Sequence, residues 1–98
     1  DRALPATLEL AQNHPNPFNS TTMIRYGLPT DGPVQQLAVY NLAGQRLATL
    51  VDGAHAAGTH AAQWNGTDDR GRDLASGVYV YRLVTPGRVE TRRMVFLQ

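Results

Sequence analysis

The strongest alternation in the chain runs from Gly77 to Val84. Tyr79, Tyr81 and Leu83 fall on one side of an extended backbone, and Val78, Val80, Arg82 and Val84 fall on the other. β-Branched and aromatic residues suit a pleated, packed surface. Both sides are largely apolar, so the pattern predicts a central strand covered over most of its area. Thr85-Pro86-Gly87-Arg88 follows at once. Proline presets φ at the first turn position and glycine accepts positive φ at the second, which predicts a type II turn. Val89 to Leu97 alternates again, so the last 22 residues read as a β-hairpin.

The rest of the chain repeats this rhythm. Leu8, Leu10 and Gln12 alternate with Glu9 and Ala11 as a short first strand, and residues 1–7 read as a linker end. Asn13-His14-Pro15-Asn16-Pro17-Phe18-Asn19-Ser20 cannot hold a ladder, because proline lacks the donor and asparagine bonds its own backbone. It reads as an ordered loop anchored in the core by Phe18. Thr22–Leu28 places Ile24, Tyr26 and Leu28 on one face. Pro29-Thr30-Asp31-Gly32-Pro33 is a turn cluster. Val34–Asn41 turns Leu37 and Val39 inward with Tyr40 opposite. Leu42-Ala43-Gly44-Gln45 closes a hairpin to Arg46–Val51, and Asp52–Gly58 reads as a small-residue loop. Thr59–Trp64 places His60, Ala62 and Trp64 on one face, and Asn65–Ser76 is a long polar loop.

Seven short strands with glycine and proline in every gap predict an all-β antiparallel sandwich, immunoglobulin-like or fibronectin-III-like. In such folds a tyrosine opens the sixth strand and the residue two places later points inward. Tyr79 takes the first role here. Tyr81 fills the place that cysteine occupies in antibody domains.

At 98 residues this is one domain, without room for a separate catalytic unit. Cysteine is absent, so stability comes from packing rather than disulfides. No apolar run approaches the ~20 residues of a membrane span. No signal peptide opens the chain, so the expectation is that an exported parent would begin elsewhere. A net charge of +1 argues against a nucleic-acid or membrane-surface partner. The distribution is uneven: Arg82, Arg88, Arg92 and Arg93 face a single acid, Glu90, in residues 74–98. All nine basic residues are arginine.

Little in the chain supports a reaction. His14, His55 and His60 do not share a metal-ligand spacing. Ser20 and Ser76 are the only serines and neither lies in a nucleophile motif. Asn65, Asp68, Asp69 and Asp73 sit on one flexible loop and supply the hard oxygens that Ca²⁺ takes, although such residues also satisfy backbone donors in successive turns. A sugar-binding reading needs exposed flat rings, and Tyr40 and Trp64 are the candidates. Asn19-Ser20-Thr21 and Asn65-Gly66-Thr67 match the N-glycosylation acceptor pattern.

Several blocks taken together carry a family resemblance. They are Leu10-Ala11-Gln12-Asn13-His14-Pro15-Asn16-Pro17-Phe18-Asn19, Thr22–Pro29, Val39–Leu47 with Thr49-Leu50-Val51, Gly58-Thr59-His60 with Trp64–Asp68, Ala75–Leu83, and Arg93-Met94. From about residue 8 to residue 98, the chain resembles the type A C-terminal sorting domain of the type IX secretion system. That domain is related to the immunoglobulin-like domain of flagellar hook-capping proteins. The family usually has Tyr at His14, Pro at Ser20, Asp at Asn65 and Lys at Arg93, and often ends in a basic residue rather than Gln98.

The resemblance implies a non-catalytic C-terminal module of a larger exported protein, such as a polysaccharide hydrolase or peptidase. The parent would pass through the periplasm to the cell surface or medium. Its implied partners are the outer-membrane translocon and a sortase-like peptidase that cuts near residues 1–7. The final strand, with Arg92, Arg93 and Met94, is the expected recognised element, since an edge strand offers unpaired backbone groups. The rival expectation is an accessory module that binds polysaccharide or the cell through Tyr40, Trp64 and the Asp-bearing loop.

Overall fold

Alternation becomes two sheets here because each strand has one apolar face to bury. The computed structural model describes residues 7–98, apart from the side chains of residues 33–35. Seven strands follow in order: β1 (Glu9–Leu10), β2 (Thr22–Leu28), β3 (Gly32–Tyr40), β4 (Arg46–His55), β5 (Gly58–Trp64), β6 (Gly77–Thr85) and β7 (Arg88–Phe96). They form two antiparallel sheets, ordered β1-β2-β5 and β4-β3-β6-β7. This is the immunoglobulin-like sandwich that the alternation predicts. Among the described residues no helix is long and apolar enough to cross a membrane. The linker end expected over residues 1–7 lies, apart from Thr7, outside the described residues.

Ile24, Tyr26 and Leu28 from β2 and Trp64 from β5 meet Leu37 and Val39 from β3, Tyr79, Tyr81 and Leu83 from β6, and Met94 and Phe96 from β7. Burying each such side chain contributes about 1.5–3 kcal/mol relative to leaving it in water. One end of the core is aromatic. Phe18 stacks on Phe96 with ring centroids 4.9 Å apart and meets Trp64 edge-on at 5.6 Å, while Trp64 meets Tyr79 edge-on at 5.6 Å. Phe18 therefore anchors the proline-rich loop, as its isolation among polar residues suggests. The buried side chain of Asn13 holds that loop from within, donating to Pro15 O at 3.1 Å and Thr22 Oγ1 at 3.0 Å.

Both diagnostic tyrosines of β6 occupy their expected places. Tyr79 Oη donates to Ala75 O at 2.6 Å, the backward bond to the preceding corner that this fold uses. Tyr81 points inward and is fully buried. Its hydroxyl crosses to the segment linking β1 and β2, where it donates to Ala11 O at 2.6 Å and accepts from the Asn13 N–H at 2.8 Å. Where antibody domains join their sheets with a disulfide, this chain uses a phenol.

Three expectations need correction. β4 runs to His55, so much of the presumed loop 52–58 is strand. Gly32, Pro33 and Val34 pair with His55, Ala54 and Gly53, and this ladder extends both strands although residues 52–55 include no β-branched side chain. The first strand is only Glu9–Leu10, because the Tyr81 hydroxyl takes the backbone of Ala11 and Asn13 just beyond it. Finally, the second face of β6 is not covered by another layer of the described chain. Val78 remains 39% exposed, and Val80 and Val84 are half-buried.

Candidate recognition strand and its surroundings

β7 is an edge strand, paired with β6 from Gly77↔Phe96 to Thr85↔Arg88. The turn joining them has Gly87 at φ 79°, as the second position of a type II turn requires. Side chains alternate along β7. Met94 and Phe96 enter the core, while Val89, Thr91, Arg93 and Val95 stand on the outer face of the four-stranded sheet.

The backbone of the same odd-numbered residues points away from β6. Over the second half of β7 the loop before β2 occupies these groups. Gln12 Nε2 donates to Arg93 O at 2.6 Å, Val95 N donates to Asn16 Oδ1 at 2.9 Å and Phe18 N donates to Val95 O at 3.1 Å. Leu97 N returns a bond to Phe18 O at 2.9 Å. Among the described residues nothing hydrogen-bonds the outward N–H and C=O of Thr91. The open part of the edge is therefore Val89–Thr91, upstream of the residues expected to carry recognition. Polar asparagines and a glutamine before β2 gave no sign that they would sheath a strand at the other end of the chain.

Arg92, Arg93 and Met94 are accordingly split. Arg92 Nε donates to Leu10 O at 2.6 Å, which ties β7 to the edge of the other sheet. Arg93 is exposed on the opposite face. Met94 is 0% exposed, so the expectation that it meets a partner does not hold in the folded domain.

The remaining candidates are dispersed. Trp64 is 2% exposed, and its indole N–H donates to Thr67 O at 2.9 Å, so it turns no ring face to solvent. Tyr40 is half-buried, donates to Gln36 Oε1 at 3.0 Å and carries the Arg82 guanidinium 4.8 Å from its ring centroid. One ring face is thus already occupied. Asp68 serves its own loop: Oδ1 accepts from the Arg70 and Arg72 amides at 2.9 and 3.0 Å, and Oδ2 accepts from Arg72 Nε at 3.0 Å. The Arg72 amide leads the hydrogen bonds that hold the Asp68 carboxyl below its ordinary pKa. Asp69 Oδ1 accepts from Thr49 N at 2.9 Å, and Asn65 Oδ1 accepts from Thr67 Oγ1 at 2.6 Å. Asp73 is exposed. Among the described residues no three His, Cys, Asp or Glu side chains gather in a metal-holding group.

Proximity of the histidines is a relationship their spacing did not reveal. His55 and His60 meet edge-on with centroids 4.8 Å apart, and His60 stacks on Tyr26 at 5.4 Å. His60 Nε2 lies 2.7 Å from Ala56 O, so that nitrogen is the donor.

Among solved structures, the chain is similar to dimeric latent PorU from Porphyromonas gingivalis, with 19% identity and a TM-score of 0.71 over 92% of this chain and 9% of that one. It is also similar to PorZ of the same organism, described as an essential bacterial surface component of the type-IX secretion system. There the identity is 19% and the TM-score 0.61, over 89% of this chain and 11% of that one. The chain thus spans a small part of either protein's length, and at this identity the likeness concerns the fold. None of the curated proteins compared matches the chain. Residues 14–86, most of the sandwich from the Phe18 loop through β6, match the FlgD Ig-like domain, and the chain belongs to that family.

Proposed function

We propose that this small immunoglobulin-like module is non-catalytic and acts as the sorting signal of a larger exported protein. The outer-membrane translocon of a type IX secretion system reads it, and a sortase-like peptidase then attaches the parent to the cell surface. The observation that carries this reading is the edge strand β7, whose outward backbone at Val89–Thr91 is unpaired among the described residues and lies beside exposed Arg93. Edge backbone gives a partner strand affinity, and adjacent side chains give it selectivity. The family blocks that the chain resembles support the reading. So does the similarity to PorZ, whose own description places it at the bacterial surface within that system.

A polysaccharide-binding role finds less support, because Trp64 is enclosed and Tyr40 is capped by Arg82.

Thr91→Pro tests the edge directly. Proline removes the outward donor of Thr91 and leaves the inward ladder bonds of Glu90 and Arg92 to β6 intact. The parent protein carrying this change is expected to fold and to accumulate in the periplasm. Normal export of the folded variant would show that the β7 edge is not what the translocon reads.

A further inference from the structure

The outer face of the four-stranded sheet carries an apolar stripe and two arginines that pair with no carboxylate among the described residues. Val78, Val80 and Val84 of β6 lie next to Val89 and Val95 of β7, and Val78 and Val89 are 39% and 55% exposed. Arg82 pairs across the strands with Thr91 and Arg93 with Val80, so the two arginines are diagonal neighbours on one face. Among the described residues the ion pairs are Arg72–Asp68 and Arg88–Glu90, and neither involves this face. Arg82 Nε is buried and has no hydrogen-bond partner among the described residues, and the guanidinium lies over the Tyr40 ring. The ring contact holds the guanidinium in place, and its two outer nitrogens make no hydrogen bond among the described residues, so they can be filled from outside.

We infer that this face docks a protein surface presenting a carboxylate among aliphatic side chains, with Arg82 and Arg93 gripping the carboxylate and the valines packing around it. Charge complementarity selects this occupant. An arginine fork matches a carboxylate bidentately, and a low-dielectric apolar surround strengthens the contact. A second copy in two-fold contact would set Arg82 and Arg93 against themselves. A bilayer is poorly matched, because valines on a flat sheet do not project as the Trp, Phe and Leu of interfacial binders do. The surface lies beside the β7 edge but does not depend on the sorting role.

Photo-crosslinking in the host that makes the whole protein tests the inference. Benzoylphenylalanine is placed at Val78 on this face or at exposed Gln63 on the other sheet. The Val78 probe is expected to capture one protein, through a segment containing Asp or Glu, and the Gln63 probe is not. Arg82→Glu with Arg93→Glu is expected to lower that yield at least tenfold while the thermal transition stays cooperative, and Arg93→Glu alone, at an exposed position, is expected to lower it with the midpoint unchanged. Changing the partner's acid to arginine should then restore it. Equal capture from both positions, an adduct with lipid or with a second copy, or no adduct would overturn the inference. Because capture is read apart from export, it can succeed or fail whether or not the sorting role holds.

Discussion

The hydroxyl of Tyr81 donates to the carbonyl of Ala11 at 2.6 Å, joining residues 70 positions apart and one sheet to the other. The same oxygen accepts from the buried Asn13 amide at 2.8 Å, so removing it leaves that donor without a partner, while the carbonyl of exposed Ala11 turns to water. Tyr81→Phe is expected to cost about 2 kcal/mol, within the ~1–3 kcal/mol range for a buried donor left without a partner, here the Asn13 amide. Tyr79→Phe loses a single bond, to Ala75 O, and is expected to cost about 1 kcal/mol. Urea unfolding of the two variants checks the order. Equal midpoints would show that the sheet-to-sheet bond adds nothing to the corner bond.

The buried phenols also tie stability to pH. Burial raises Tyr26, Tyr79 and Tyr81 above the ordinary phenol pKa of 10.0; at Tyr81 the Asn13 amide and the Arg92 charge pull the other way. Unfolded tyrosines ionise first, so beyond about pH 10 the folded state holds more protons. Their contribution is complete below the unfolded pKa and is lost as pH rises through the folded values. The unfolding midpoint is expected to fall steeply above about pH 10, and less steeply in Tyr81→Phe. Identical alkaline slopes would contradict this.

Two glycines in one loop separate backbone strain from crowding. Gly66 has φ +75°, and a Cβ there would lie 2.5 Å from Phe96 Cζ; Gly71 has φ +78° with nothing within 4 Å. Gly71→Ala should cost about 1–2 kcal/mol, for the left-handed conformation alone. Gly66→Ala adds a clash with a core ring and should cost about 1–3 kcal/mol more. Thermal denaturation resolves the difference, and similar costs would mean that Phe96 moves aside freely.

Shortening the terminal strand is a poor test of recognition for the same packing reason. Removing residues 93–98 takes Met94 and Phe96 out of the core, along with the ring on which Phe18 stacks. The truncated chain is expected to lose its cooperative thermal transition, whereas Arg93→Glu keeps it. A cooperative transition in the truncated chain would show that the core closes without β7.

Period-two patterning made the sandwich legible, since Tyr79, Tyr81 and Leu83 could lie together only on an extended strand with one buried face. The place of Tyr79 at the opening of β6 was readable from the same pattern, and the structure adds its local bond to Ala75 O, four residues back. What patterning could not show was contact across the chain. Gln12 and Asn16 through their side chains, and Phe18 through its backbone, reach main-chain groups of β7 about 80 residues later, and main-chain partners leave no mark in the sequence. The extension of β4 to His55 was hidden because Gly53 and Ala54 pair through the backbone alone. Trp64 was ambiguous from sequence, as an aromatic at the end of a strand can cap the core or face a ligand; Phe18 and Phe96 settle its place in the core.

If the folded domain is itself an address, as proposed, it should redirect an unrelated cargo. Residues 1–98 should be fused to the C-terminus of a periplasm-directed fluorescent protein in a host with type IX machinery, and fluorescence measured at the surface and in the medium. Fluorescence is expected outside the cell and should disappear when the translocon is inactivated. Fluorescence held in the periplasm by a folded fusion would contradict it, leaving a shared fold without the sorting role.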